Sequence, residues 1–175
     1  MVIFLGEADA YKNNIKCAYL NWFFDDGLRN KGKDLEFAEG SLHLGKAYIG
    51  NAISTLAILM NNQENFLADK MIFPALFDTW HGIELLLKSS LVSIKIICND
   101  NNGVQMNHDI KNYYKKLDEK LDEIDFSNLK PKILKTLKEL IDEFDRVGAN
   151  FDFARYPFDR NLNPQFYNAS LSHSN

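Results

Sequence analysis

Polar residues interrupt the apolar pattern of one segment, which runs from Trp80 to Lys88. His81, Glu84 and Lys88 stand three and four residues apart, so they are neighbours on a helix surface, and the order Glu84 then Lys88 favours an ion pair. Glu84 falls within an apolar stripe, where an unpaired carboxylate costs several kcal/mol. Two interpretations remain open: an internal salt bridge at the edge of the core, and a functional cluster in which the carboxylate is perturbed.

Two further segments carry candidate site residues. His108 stands near the start of a predicted helix, a position that favours the neutral imidazole that acts as a base, although the ring could instead bond its own turn. Arg155 and Tyr156 belong to an aromatic segment, so we expect the Arg155 guanidinium to be partly buried beside a carboxylate. We predict that Glu84 has a basic partner, with Lys88, Arg155 and His108 as the candidates. For Arg155, a structural clasp and a catalytic role both stay open.

The elements that must position these residues are predicted from apolar periodicity. Apolar residues recur at three- and four-residue steps, with no alternating run typical of a strand pair, which predicts an all-α bundle of about five helices. The predicted helices cover about 7–26, 41–62, 73–98, 107–124 and 131–148. The third is apolar nearly all round, so we expect it at the centre of the bundle. Short links between helices favour antiparallel neighbours.

Particular residues are predicted to delimit and pack these helices. Pro74 should lie in the first turn of its helix, where its missing N–H costs nothing. Asn107 is the predicted N-cap of the fourth helix. The segment 34–40 is either an extension of the second helix or a loop. The core stripe predicted for that second helix consists of Leu42, Ile49, Ile53, Leu56 and Met60.

The domain organisation follows from where the helical period stops. We predict one domain over residues 1–160, whose end is an irregular aromatic segment wrapped onto the bundle, and a polar C-terminal tail over residues 161–175. No signal peptide or membrane-spanning apolar run is visible, so we expect a soluble, cytoplasmic protein with no membrane partner.

Charge and cysteine usage exclude several function classes. The net charge is −4 and no basic block is present, unlike proteins that hold long nucleic acids through many phosphates. Cys17 and Cys98 lack metal-ligand spacing, and we expect reduced thiols packed as small apolar residues. The four histidines do not form a zinc motif, so no metal and no cofactor are expected.

Three short motifs in a common order resemble proteins of the HEPN superfamily. They are the helix segment Trp80–Lys88, the helix start Asn107–Ile110 and the late segment Phe153–Pro157. The resemblance covers roughly residues 70–160. It implies a helical bundle, frequent dimerisation, and a role in toxin–antitoxin or phage-defence systems, often as a metal-independent ribonuclease.

One departure from the family pattern bears on activity. HEPN ribonucleases carry an arginine followed four to six residues later by a histidine, and none of Arg29, Arg146, Arg155 and Arg160 is followed in this way. We therefore expect a HEPN-like protein, associated with RNA or with a cognate antitoxin protein, that lacks the usual ribonuclease activity. The alternatives are a structural module that dimerises through exposed aromatic residues, and a small-molecule-binding helical regulator.

Overall fold

A computed structural model of the chain describes residues 32–61, 65–104, 106–124 and 130–146, and this part is all-helical, without a strand. Four helices follow one another along the chain: α1 (Lys33–Asn61), α2 (Asn65–Ile97), α3 (Ile110–Glu123) and α4 (Lys130–Arg146). The predicted all-α class is confirmed for these residues. The helix predicted over residues 7–26, the aromatic segment before residue 160 and the tail 161–175 lie outside the described residues.

The first two helices are longer than periodicity predicted. The segment 34–40 belongs to α1, and α2 begins at Asn65. The prediction that Pro74 lies in a first turn is wrong, because this residue is in the interior of α2. Proline removes one helical hydrogen bond, to the carbonyl four residues earlier. Both Pro74 and Lys70, which owns that carbonyl, are exposed, so water is available to the unpaired group.

Helices α1 and α2 form an antiparallel hairpin along a seam of small residues. The contacts between the two helices run in opposite directions along the chain. Asp34 contacts Lys95, Ala38 contacts Ser89, Gly45 contacts Gly82 and Asn51 contacts Asp78. The closest approach is between Gly45 and Gly82, where a Cβ built on Gly82 would lie 3.0 Å from the carbonyl oxygen of Gly45. The other buried seam residues are Ala38, Ser41, Ala52 and Thr55 of α1 and Ala75, Asp78, Ser89 and Val92 of α2.

The core stripe predicted for the second helix is wrong at three of its five positions; Leu42 is partly buried, and Ile49 is partly buried and packs against the core. Ile53, Leu56 and Met60 are 62%, 36% and 87% exposed, whereas the buried face of α1 carries small side chains. Small residues allow two backbones to approach closely, and close approach increases the van der Waals contact between the two helices. The large aliphatic residues are left beside the seam, on the flank of α1.

The hydrophobic core lies on the other side of α2. It joins α2 to α3 and α4, and Trp80 contacts Phe144 of α4 edge to face with ring centroids 5.3 Å apart. Helix α2 therefore packs against α1 on one side and the core on the other, as its nearly continuous apolar surface predicted. The buried core residues are Ile83, Leu87, Leu91, Ile94, Ile110, Tyr113, Leu117, Leu134 and Ile141.

Helices α2 and α3 run in the same direction, so the prediction of antiparallel neighbours is wrong for this pair. The start of α3 contacts Glu84, and later residues of α3 lie beside the end of α2 and the turn that follows it. Helix α2 ends with Asn99 in the left-handed region, φ 50°, and with a hydrogen bond from the Asp100 N–H to the Lys95 carbonyl. This is a common way to close a helix. The described residues of the link that follows, 98–104 and 106–109, lie back along α2.

Candidate functional site

The buried carboxylate of Glu84 lies at the junction of α2 and α3. Glu84 is 4% exposed, and its Oε1 accepts a hydrogen bond of 2.5 Å from the Nζ of Lys88, which is 8% exposed. One helical turn separates the two residues, so α2 alone fixes their spacing. The prediction that Glu84 has a basic partner is confirmed by this ion pair.

His108 supplies the second basic group at this carboxylate. Its Nδ1 lies 3.0 Å from Oε1 and 3.3 Å from Oε2 of Glu84, while 79% of the His108 side chain is exposed. The ring therefore bridges a buried anion and the solvent. An ionised carboxylate only accepts hydrogen bonds, so Nδ1 is the donor, and in the neutral ring Nε2 is then an acceptor.

A buried tyrosine holds the backbone that presents His108. The Tyr113 hydroxyl donates to the Asn107 carbonyl at 2.7 Å and accepts from the Asn107 N–H at 2.6 Å. Lys88 Nζ lies 5.4 Å from the centroid of the Tyr113 ring, within the range of a cation–π contact. Glu84, Lys88, His108 and Tyr113 are called the Glu84 cluster below. Tyr113 was not among the predicted site residues, although a buried tyrosine hydroxyl needs a partner and is a signal of such a role.

The helix start beside His108 is capped differently from the prediction. Asp109 is the N-cap, and its side chain accepts from the Asn112 N–H at 3.0 Å, so the prediction that Asn107 is the N-cap is wrong. Asn107 lies two residues earlier, and its side chain accepts from the Asp109 N–H at 3.1 Å. A carboxylate is favoured at the positive end of a helix, which explains why Asp109 takes the capping position.

The remaining predicted site residues are placed elsewhere or lie outside the described residues. His81 stacks on Phe77 with ring centroids 5.5 Å apart and meets the edge of Tyr48 of α1 at 4.8 Å. These two contacts lie within the hairpin of α1 and α2. Arg155 and Tyr156 lie outside the described residues, so the predicted contact between Arg155 and Glu84 stays a prediction.

The described residues contain neither a metal-binding group of side chains nor a helix suited to a membrane. Within residues 32–61, 65–104, 106–124 and 130–146, no three His, Cys, Asp or Glu side chains are grouped so that they could hold a metal ion. Nor does any helix in these ranges combine the length and the apolar character that crossing a bilayer requires. Cys98 is a free, exposed thiol, so the prediction that this cysteine is packed as an apolar residue is wrong: α2 ends at Ile97 and the thiol lies at the turn beyond it.

Comparison with known proteins gave no match to a protein-family model, to a curated protein or to a solved structure. The geometry of the Glu84 cluster itself indicates the chemistry that is available to it. A carboxylate that holds Nδ1 of a histidine fixes the tautomer and the orientation of the ring. His108 Nε2 can thus accept a proton, or donate one to an anion, at the protein surface.

Proposed function

We propose that the protein is a HEPN-like, RNA-associated component of a toxin–antitoxin or phage-defence system, in which His108 of the Glu84 cluster binds an RNA end. The observation that carries the proposal is the exposed His108 ring held at Nδ1 by a buried carboxylate. A protonated ring in this position donates from Nε2 to a terminal phosphate. Glu84 and Lys88 are buried, so they orient and balance the charge of the ring rather than touch the RNA.

The net charge of the chain supports a contact with RNA that is limited to one phosphate. The net charge is −4, and proteins that bind through many phosphates usually carry an excess of Lys and Arg. Binding through one end phosphate needs no such excess. For a single-stranded ligand, the slope of log affinity against log salt concentration is about −0.7 for each contacted phosphate. We therefore expect a slope close to that of one contact.

The proposal is tested with short single-stranded RNAs that end either in a phosphate or in a hydroxyl, using fluorescence anisotropy. We expect the phosphate end to bind more tightly, and His108→Ala to weaken that binding by about tenfold, the effect of losing one charged hydrogen bond. His43→Ala is the matched control, since His43 is an exposed histidine on α1. Equal binding of both RNA ends, or equal loss in both variants, would contradict the proposal.

Cleavage of the RNA is not expected. The usual HEPN reaction needs an arginine and a histidine close together on one helix, which activate the ribose hydroxyl and steady the phosphate. No arginine of this chain has a histidine four to six residues downstream. Incubation with single-stranded and transfer RNA should leave both intact, with or without a chelator. Cleavage that survives the chelator and is lost in both His108→Ala and Arg155→Ala would instead establish a substitute site.

A second candidate function is a module that forms a homodimer or binds a cognate antitoxin protein. Ile53, Leu56 and Met60 favour it, because they expose aliphatic side chains at three- and four-residue spacing on one flank of α1. Apolar surface of this kind, when it is contiguous, marks an interaction site. The sequence favoured exposed aromatic residues for this role, whereas the exposed residues of this flank are aliphatic.

A further inference from the structure

A cavity of about 270 Å³ lies between the end of α2, the turn that follows it and the second half of α3. Its lining includes the apolar residues Leu91, Ile94 and Val104 and the charged residues Lys95, Asp100, Lys116, Glu119, Lys120 and Glu123. One water molecule occupies about 30 Å³ of the liquid, so this volume holds a small organic molecule. No member of the Glu84 cluster lines the cavity, so it is separate from the site proposed above.

Two of the lysines that line the cavity are already paired. Lys95 Nζ lies 2.6 Å from Asp34, and Lys120 Nζ lies 2.7 Å from Glu123 and 3.9 Å from Asp100. The hydrogen bond from Lys120 to Glu123 raises the pKa of Lys120 above its usual 10.5. These two ammonium groups therefore have protein partners.

The carboxylate of Asp100 is also satisfied by its own turn. The Asn102 N–H donates to Asp100 Oδ1 at 2.9 Å, and the Asn102 side chain donates to the same atom at 2.8 Å. The bond from the Asn102 backbone is the main reason that the pKa of Asp100 lies below its usual 3.8, against the opposing effect of burial and with help from the nearby charge of Lys120. Asp100 thus stays ionised as part of the cavity lining.

Lys116 is the third lysine that lines the cavity. It is partly buried and lines the cavity, and no carboxylate of the described residues lies within ion-pairing distance of its Nζ. The neighbouring Glu119 is 3.9 Å from Lys115 instead. An ammonium group beside an apolar wall is the arrangement that recognises an anion with an apolar body, since pockets combine apolar lining with a few polar groups.

We propose that this cavity binds a small monocarboxylate with an apolar body, whose carboxylate pairs with Lys116 and whose body packs on Leu91, Ile94 and Val104. One negative charge matches one unpaired ammonium group. Ligands of higher charge are disfavoured, because the carboxylates of Glu119 and Glu123, which also line the cavity, repel them. The proposal does not depend on the function of the Glu84 cluster.

The thiol of Cys98, which lines the cavity, reports its occupancy. The probe is benzoate, and its uncharged counterpart is benzamide, each at millimolar concentration with the full-length protein. The rate at which iodoacetamide alkylates Cys98 is followed by peptide mass spectrometry, which separates it from Cys17, the other cysteine of the chain. We expect benzoate to slow alkylation severalfold and benzamide to leave the rate nearly unchanged.

Substitutions of two adjacent lysines test which ammonium group binds the carboxylate of benzoate. Lys116→Met should weaken protection by benzoate about tenfold, the effect of losing a charged hydrogen bond, while Lys116→Arg retains it. Lys115→Met is the matched control, because Lys115 is exposed on the same helix and does not line the cavity. Equal protection by benzoate and benzamide, protection by neither, or equal loss in the Lys115 and Lys116 variants overturns the proposal. The comparison of the two probes on the unmodified protein decides the question even if a variant fails to fold.

Discussion

Glu84 and Lys88 are charged groups in a buried position, and each has more than one partner. The two side chains pair with one another, His108 adds a second contact to the carboxylate, and the Tyr113 ring lies beside the ammonium group. Charges removed from water lose hydration energy, and only close partners offset that loss. The cluster therefore joins α2 to the start of α3 while it presents one histidine to solvent.

Removing one charge of this pair should cost more than removing both. We expect Glu84→Leu to lower the free energy of unfolding by about 3 kcal/mol, because it leaves the Lys88 ammonium buried without its carboxylate. Lys88→Met should lower the free energy of unfolding by a similar amount, because it leaves the Glu84 carboxylate buried without its ammonium partner. The double variant should lie within about 1 kcal/mol of the original protein, since two apolar side chains then fill the space.

Urea unfolding of the four proteins measures these differences as a double-mutant cycle. A purely additive result would contradict a coupled ion pair. Binding of the phosphate-ended RNA separates stability from function: the double variant keeps the fold but lacks the carboxylate that orients His108. We expect it to bind RNA as weakly as His108→Ala does.

At the scale of the helices, the spacing between α1 and α2 depends on residues without large side chains. Gly45 and Gly82 face one another at the closest approach, and Ser89 donates to the Ala38 carbonyl across the same seam at 2.6 Å. A hydroxyl that reaches the backbone of the opposite helix requires the two axes to be close. Glycine in a helix interior lowers helix stability, so its use here is explained by the close contact.

Two glycine substitutions test this explanation. Gly82→Ala should lower the free energy of unfolding by about 2 kcal/mol, because the added methyl would lie 2.8 Å from the Ile49 side chain and 3.0 Å from the Gly45 carbonyl. Gly50→Ala on α1 is the control, since nothing lies within 4 Å of the added methyl. It should raise the free energy of unfolding by about 0.5–1 kcal/mol through helix propensity alone.

Thermal and urea unfolding show whether each substitution raises or lowers the free energy of unfolding. A stabilising effect at both positions would mean that α1 and α2 do not approach closely at Gly82. A destabilising effect at both would mean that alanine is disfavoured in α1 for a reason other than this contact.

At the scale of the whole molecule, α2 takes part in a different kind of packing on each of its two sides. One side meets α1 through small residues, and the other meets α3 and α4 through large apolar ones. The arrangement leaves the aliphatic flank of α1 exposed, including Ile53 and Met60. Contact of apolar side chains with water is unfavourable, so covering this flank with a second copy of the chain would be favourable.

Self-association through this flank is tested by sedimentation at several concentrations. If the protein dimerises there, Ile53→Lys with Met60→Lys should raise the dissociation constant by at least about tenfold, since burying one such side chain contributes about 1.5–3 kcal/mol. Ser54→Lys is the control, because it adds one positive charge, half of that in the double variant, at a neighbouring exposed position of α1. A protein that is monomeric at every concentration, or equally affected by Ser54→Lys, would contradict a dimer through this flank.

The sequence by itself determined the helical class, the central place of α2 and the pairing of Glu84. Helical periodicity and spacing along one helix are local properties, so Glu84 and Lys88 could be predicted as partners without knowledge of any other element.

Only the tertiary structure decided which face of α1 is buried, which way α3 runs, and which groups meet at Glu84. Large aliphatic residues predicted one face of α1, but contact with α2 selected the small residues, because packing depends on how closely two backbones approach. His108 and Tyr113 belong to another helix start, and they reach Glu84 and Lys88 only because the described residues of the link, 98–104 and 106–109, lie back along α2. Cys98 follows the apolar period and is nevertheless exposed, since a helical period does not tell where a helix ends against its neighbours.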